Sequence, residues 1–253
     1  MIRIDITNVL FLDIETVCGV GNFEELDPTL QVLWADKAAK IERRELTDEE
    51  ITALYKERAA IYAEFGKIVC ISVGIVHRDK MGKPFVRLKS FASDDEKELL
   101  EDFAELLNQY YRDPKTKYIC GHNVKEFDVP YMCRRMVVNQ VFLPNLLQLY
   151  GKKPWETQHL LDTMNLWKFG DYKNYTSLKL LAGVLGFPSP KDDIDGSQVG
   201  RVYWEEGDLD RIAVYCEKDV LATIQLLLKF LYQPILEEEQ ITFLGRENKE
   251  RKE

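Results

Sequence analysis

The sequence predicts an α/β fold, and three observations carry that expectation. A short, fully apolar run at Val9 to Leu12 ends in carboxylates, as a central strand buried on both faces would. A β-branched stretch runs from Lys67 to His77, and from there strand-like and helix-like segments alternate along the chain.

The elements follow in order. After the first strand the composition turns charged and Ala-rich, with helix starts at Asp27-Pro28 and Thr47-Asp48-Glu49-Glu50, so residues 22–66 are expected to form a helical insertion. Pro84 to Phe91 offers a partner strand to Lys67–His77 across the turn at 79–83. Ser93-Asp-Asp-Glu96 has the form of a capping box ahead of a helix reaching about Tyr111, and Lys117 to Gly121 reads as another strand. A helix near Val129 to Val138, a mixed stretch around Leu160 to Met164, and a short helix from Ser177 to Leu185 closed by Gly186 come next. A loop at 188–196 leads to a long final helix, Asp208 to about Tyr232. With no internal repeat or low-complexity linker, residues 1–245 are expected to be a single domain and 246–253 a polar tail.

Composition narrows the function. The chain has 253 residues, 45 % of them hydrophobic, enough for a sizeable core. A net charge of −9 argues against a protein that coats long duplexes, which needs many Lys and Arg contacts to phosphate. It leaves room for an enzyme that grips a few nucleotides at a strand end. The five cysteines are odd in number and contain no CxxC pair, so neither a disulfide framework nor a zinc site is expected. No basic, apolar leader opens the chain and no apolar run approaches the roughly 20 residues that span a bilayer, so the expectation is a cytoplasmic protein without a membrane partner.

Three carboxylate-bearing segments carry the chemistry. Residues two apart in a strand point to one face, about 6.6 Å apart, so Asp13 and Glu15 share a face at what reads as the strand end. Such a triplet alone equally suits a purely structural reading, with Asp13 capping the strand end and Glu15 starting a solvated turn. The second segment, Gly121-His-Asn-Val-Lys-Glu-Phe-Asp-Val-Pro130, sets Asp128 between a strand and a helix, where by itself it would be a helix N-cap. Asn123 there is suited to hydrogen-bond a nucleotide and Phe127 to stack near a base, with structural roles as the alternative for both. The third is Tyr215-Cys-Glu-Lys-Asp219, whose ends lie four apart on one helical face beside an apolar stripe of Ala213, Cys216, Val220, Ile224, Leu227 and Leu231. Cys216, inside that stripe, reads as a packed core thiol.

Asp13, Glu15, Asp128 and Asp219 together suit two hard divalent cations, Mg²⁺ or Mn²⁺, which take oxygen ligands and leave positions for phosphate oxygens. Two such ions about 3.5–4 Å apart can activate a water and stabilise a departing 3′ oxygen. Tyr215, an unperturbed phenol being a poor base at neutral pH, would orient the water.

These motifs resemble those of DEDD-type 3′→5′ exonucleases of the ribonuclease H-like fold, in the Tyr-containing subclass. FLDIET (Phe11 to Thr16), GHNVKEFDVP (Gly121 to Pro130) and YCEKD (Tyr215 to Asp219) match the three family motifs in order. The chain is similar to the proofreading exonuclease domain of family B DNA polymerases and to a bacterial family of stand-alone predicted exonucleases. The stretch Phe65 to Ser72 and Asp195-Gly196 strengthen the second likeness. The resemblance implies a central mixed sheet flanked by helices, with the helical insertion after the first strand. It also implies metal ligation by Asp13, Glu15, Asp128 and Asp219, and catalysis by these four with Tyr215. Thr16, which closes the first motif, is expected with Asn123 and Phe127 on the substrate-binding side. The expected reaction is hydrolysis at the 3′ end of single-stranded DNA releasing nucleoside 5′-monophosphates. The alternatives are the same chemistry on RNA, or a catalytically silent nucleic-acid-binding module. No polymerase palm or thumb sequence follows, so proofreading within the same chain is not expected.

Several other residues invite a role and are left outside the catalytic set. Asp162 suits either support of the metal shell or a cap, and His122 reads as a satisfied structural residue. His77 and His159 have no partner spacing. Lys152, Lys153, Lys168, Lys173 and Lys191 could meet phosphates but equally suit solvated surface. Trp155, Trp167, Tyr172 and Tyr175 offer stacking surfaces, with core or rim packing as the commoner use.

Overall fold

A computed structural model describes residues 4–171, 175–188 and 194–245; the tail at 246–253, Tyr172, Lys173, Lys191 and residues 189–193 of the expected loop lie outside the described residues. Strand β1 (Val9–Cys18) is the central element. It pairs antiparallel with β2 (Gly66–Arg78), which pairs antiparallel with β3 (Pro84–Ala92). On its other edge β1 runs parallel to β4 (Tyr118–Gly121), and β4 parallel to β5 (Leu160–Asp162). With β6 (Ile241–Phe243) parallel to β3, the described residues form a six-stranded mixed sheet in the order β5-β4-β1-β2-β3-β6. Fold class and sheet type are those the sequence predicts, although β6, only three residues long, has no legible pattern of its own.

Helices cover both faces, as a sheet buried on two sides requires. Leu10, Leu12 and Ile14 of β1 pack with α3 (Glu96–Tyr110) and α4 (Asp128–Val138). Val9 and Phe11 point the other way, against Val220, Ile224, Leu227 and Leu228 of the long helix α8 defined below. Ahead of α8 come α5 (Thr163–Lys168), α6 (Leu178–Leu185) and the single turn α7 (Val199–Arg201), which runs into a π-helical turn at Val202–Glu206. Helix α8 itself spans Leu209–Phe230, capped by Asp208 accepting from the Arg211 amide at 3.0 Å. Gly74 on β2 lets it lie close: a Cβ there would come within 2.9 Å of both Val220 and Ile224. None of the helices, among the described residues, is long and apolar enough to cross a membrane.

Between β1 and β2 the chain forms α1 (Pro28–Glu42) and α2 (Asp48–Arg58), with starts set by local chemistry. Asp27 caps the first, with Pro28 already at the helical φ, and Thr47 with Glu50 forms a capping box on the second. Their shared core centres on Trp34, fully buried between Tyr55 and Phe65, its indole N–H donating to the Ile51 carbonyl at 3.2 Å. The segment grips the end of β1: the Cys18 thiol donates to the Tyr55 carbonyl at 3.3 Å, and the Val20 amide to the Tyr55 hydroxyl at 3.4 Å.

Two expectations need correction. The cap of α3 is Asp95, which accepts from the Lys97 and Glu98 amides, while the Ser93 hydroxyl accepts from the Asp95 amide two residues on. Strand β1 does not end at its carboxylates but runs on to Cys18, because Ile14, Val17 and Cys18 keep the buried pattern going beyond them.

Candidate active site

The correction to β1 sets the geometry of the site. Pairing with β4 ends at Phe11–Cys120, whereas pairing with β2 continues to Cys18. From Asp13 onward β1 therefore has one edge free of strand partners, within the sheet rather than at its rim. Backbone amides along that edge need other acceptors, and the Ile14 amide finds the Asp128 carboxylate at 3.2 Å.

Asp128 reaches that position from the first turn of α4, through a tight loop. After β4 the chain turns back over β1 at Gly121, where a Cβ would sit 2.7 Å from the Val124 Cβ and 3.0 Å from the Leu12 carbonyl oxygen. Asn123 then takes the left-handed conformation, φ +67°, which Asn tolerates better than most residues. Its carbonyl accepts from the Phe127 amide at 3.0 Å, so Asn123 has a backbone task in shaping the loop. Its side-chain amide has no partner among the described residues and is half-buried. Phe127 is partly buried too, its ring tilted against Tyr131 at 5.4 Å. Asp128 is not the N-cap that an isolated reading suggests: Phe127 holds that position and the carboxylate is turned to β1.

Asp162 clamps this loop. Its carboxylate accepts from the Asn123 and Lys125 amides at 3.0 and 3.1 Å and from the Met164 and Asn165 amides at 3.0 and 3.2 Å. Of the two roles the sequence leaves open, it performs the cap, on α5, and also fastens the loop that carries Asp128. His122 lies between the Thr163 hydroxyl and the Thr176 carbonyl, each at 2.9 Å, and burial pulls its pKa down, which suits a structural imidazole. His159 bonds the Leu146 carbonyl at 2.9 Å and His77 stacks on Phe85, both far from this chemistry in the fold.

Helix α8 closes the site from the other side. The Tyr215 hydroxyl donates to Asp219, one turn on, and both are half-buried. The ligating atoms of Asp13, Glu15 and Cys216 lie within 4.8 Å of one another. Here the reading of Cys216 changes: it is buried, as expected of the stripe, but its thiol also faces Asp13, donating to the backbone carbonyl at 3.4 Å and to Oδ2 at 3.5 Å. The apolar spacing conceals that role, because a thiol counts as apolar in a stripe while remaining a weak donor.

Like charges meet in this space. Burial pushes the Asp13 carboxyl well above the usual range, reinforced in turn by Asp128, Glu15 and Asp219 and offset by the Cys216 thiol. Asp128 is pushed up to about 7, again first by burial, despite two amides that favour its charged form. Tyr215 is pushed far up by burial and by Asp219, Glu15 and Asp13. Neither Asp13 nor Asp128 has an ion-pair partner among the described residues. Converging, partly dehydrated carboxylate oxygens are a donor set fitted to hard divalent cations.

Of the other tempting residues, Lys168 and Tyr175 are tied to Glu126, on the loop that carries Asp128. Lys168 pairs with Glu126 at 3.7 Å and lies over the exposed Tyr175 ring, whose hydroxyl donates to Glu126 at 2.8 Å. Trp155 is exposed beneath Lys153, and Trp167 stacks on Phe230.

The model of a protein family described as predicted 3′→5′ exonucleases related to the exonuclease domain of PolB matches residues 61–243. The chain belongs to this family. The matched span runs from the end of the α1–α2 segment to β6, and so takes in Asp128, Tyr215 and Asp219 but not Asp13 and Glu15. As a member, the protein is an enzyme of the 3′→5′ exonuclease type. Among solved structures, the family B DNA polymerase of Pyrobaculum calidifontis shares the fold at a TM-score of 0.52 and 17 % identity, over 88 % of this chain and 24 % of the polymerase. The chain thus spans about a quarter of that protein's length. No curated protein matches.

Proposed function

We propose that this exonuclease is metal-dependent and hydrolyses single-stranded DNA from its 3′ end, releasing nucleoside 5′-monophosphates. The observation that carries the reading is the convergence of Asp13, Glu15 and Asp128 on the free edge of β1, with Tyr215 and Asp219 of α8 facing them. Asp13, Glu15, Asp128 and Asp219 would hold two Mg²⁺ or Mn²⁺ ions. Bound there, the ions supply Lewis-acid activation of water and neutralise charge on the phosphate.

The chain's own groups would do the rest. Tyr215, its pKa raised, stays a phenol and acts as a hydrogen-bond donor that orients the attacking water, not as a base. Thr16 is partly exposed beside Glu15, its hydroxyl bonded to Tyr131, and would contact the terminal nucleotide together with the Asn123 amide and the Phe127 ring. DNA is favoured over RNA because both the family description and the polymerase fold point to DNA polymerase exonuclease domains. The α1–α2 segment is read as an insertion within a single exonuclease domain over residues 1–245, bracing the floor of the cleft through Tyr55.

The test is digestion of 5′-labelled single-stranded DNA and RNA of equal sequence with Mg²⁺ or Mn²⁺, beside an Asp13→Ala control. A ladder shortening from the 3′ end of DNA, abolished in the variant, is the expected result. No metal-dependent product on either strand would sink the reading, and faster RNA digestion would reassign the substrate.

A further inference from the structure

The pairing of β1 with β2 contains one irregularity. Asp13 faces Ser72, Ile14 faces Ile71 and Glu15 faces Cys70, but the next residue, Thr16, faces Ile68, so Val69 is the extra residue of a β-bulge. The bulge reverses the alternation of side chains beyond it. Ile71 and Ile68 both point into the core beneath α3 and α4, while Val69, Cys70 and Val17 join the cluster beside α7 and α8. Lys67, opposite Val17, consequently emerges on the same face as Asp13, whose carboxylate meets Cys216 of α8. A regular strand would have presented Ile68 there and turned Lys67 into the opposite core.

The re-aimed lysine is held firmly. Its Nζ donates to the Tyr203 hydroxyl at 2.9 Å and lies 4.8 Å from the Tyr203 ring centroid and 5.0 Å from that of Trp204. Both aromatics belong to the π-helical turn at Val202–Glu206, an irregularity often found at functional sites. Trp204 is in turn pinned to the end of β1, its indole N–H donating to the Cys18 carbonyl at 3.3 Å, with its ring against Gly21.

The acids near Lys67 are committed elsewhere. Asp94 accepts the Tyr203 hydroxyl at 2.8 Å, and Glu96 is bonded by Arg135 at 2.5 and 2.8 Å and by the Ile68 amide at 2.8 Å. Lys67 has no ion-pair partner among the described residues, although it is half-buried and burial lowers its pKa. Asp94 and Glu96 offset that burial only in part, and a fold that needed only to fill this space would do better with an apolar side chain. Along β1, Val17 lies about 6.6 Å from Glu15, close enough for one short strand to touch both the carboxylates and this cation.

We propose that Lys67 binds a backbone phosphate of the single strand upstream of its 3′-terminal nucleotide, with Tyr203 and Trp204 as its support. The assignment rests on the exonuclease reading above and adds a substrate contact outside the three motifs. It is tested with a short 5′-fluorescein-labelled oligothymidylate, by anisotropy for Kd over a salt series and by turnover for KM and kcat, on wild type, Lys67→Met, Lys67→Arg and Tyr203→Phe. In Lys67→Met, Kd and KM should rise roughly tenfold, as for loss of a charged hydrogen bond, with kcat changed less than about twofold. The slope of log Kd against log salt should fall by about 0.7, one single-strand phosphate contact. Lys67→Arg should restore most of the affinity. Tyr203→Phe, which keeps the ring but frees Asp94 to quench the cation, should weaken binding in the same direction, and it serves if Lys67→Met melts early. Wild-type Kd, KM and salt slope in a folded Lys67→Met would overturn the proposal. If wild type yields no metal-dependent product, the exonuclease reading fails, and the anisotropy series still decides Lys67: equal Kd values, or no binding by either protein, overturn it.

Discussion

The Asp128 carboxylate accepts the Ile14 backbone amide at 3.2 Å, joining the first turn of α4 to the edge of β1 between Asp13 and Glu15. That bond does two jobs. It satisfies an amide left bare where β4 stops, and it fixes a third carboxylate beside the two of β1. Structure and proposed chemistry therefore converge on the same side chain.

Asp128→Asn separates the two. The amide oxygen can still accept from Ile14, so the melting temperature should change little. The loss of charge should lower kcat/KM by orders of magnitude, since a charge-stabilising contact in the transition state is worth about two to three decades each. Near-wild-type turnover in this variant would remove Asp128 from the set of metal ligands.

Divalent cations should stabilise the protein in a pH-dependent way. Asp13 and Asp128 have folded-state pKa values above the unfolded carboxylate value, Asp128 at about 7. Their protons favour the folded state at low pH, and this contribution is lost as pH rises through the folded values. Without added metal, melting temperature should drift down between about pH 5 and about pH 8 from these groups, and Mg²⁺ or Mn²⁺ should reverse the drift because cations compete with those protons. Differential scanning fluorimetry with EDTA or metal at each pH measures this. A metal-induced shift that is larger at the acid end would contradict it.

Tyr215→Phe keeps the packing of α8 but removes the hydroxyl that donates to Asp219. Turnover should fall by about two decades, less than for a lost carboxylate and at the low end for a positioned proton-handling group. The pH profile should keep its alkaline limb, because the phenol remains protonated throughout the working range. Disappearance of an alkaline limb in the variant would instead mark Tyr215 as a titrating base.

Away from the site, Arg135→Ala tests how α3, α4 and β2 are locked together. Its guanidinium makes both Glu96 contacts and also donates to the Ala63 carbonyl at 2.9 Å. Removing it leaves Glu96 buried without its partner, at a cost of about 3–5 kcal/mol, readable as a lower urea midpoint at unchanged slope. Replacing Arg135 with Met and Glu96 with Gln together should cost clearly less than Arg135→Ala alone. Equal losses would mean the ion pair carries little of the packing.

Much of this molecule is visible in local sequence pattern. Thr47 with Glu50, Asp27 with Pro28, Ser177 with Gly186, and Asp208 mark helix ends whose hydrogen bonds close within a few residues, so neighbours in sequence suffice to read them. The carboxylates and Tyr215 stand out in the sequence because the proposed metal chemistry calls for those residue types at spacings of two and four. Ser93 obscures Asp95 in the sequence because capping residues two apart compete and only the backbone trajectory chooses.

What the sequence determined alone was the alternation of elements, the identity of the acidic groups, and the likeness of three motifs to an exonuclease family. Tertiary structure decided where those groups meet. That β1 outruns β4, that Val69 bulges and turns Lys67 to the carboxylate face, that Cys216 touches Asp13, and that β6 exists at all depend on pairing between segments far apart in the chain. Such pairings are set by which amides and which apolar faces remain unsatisfied once the whole sheet has formed, a condition no short window of sequence contains.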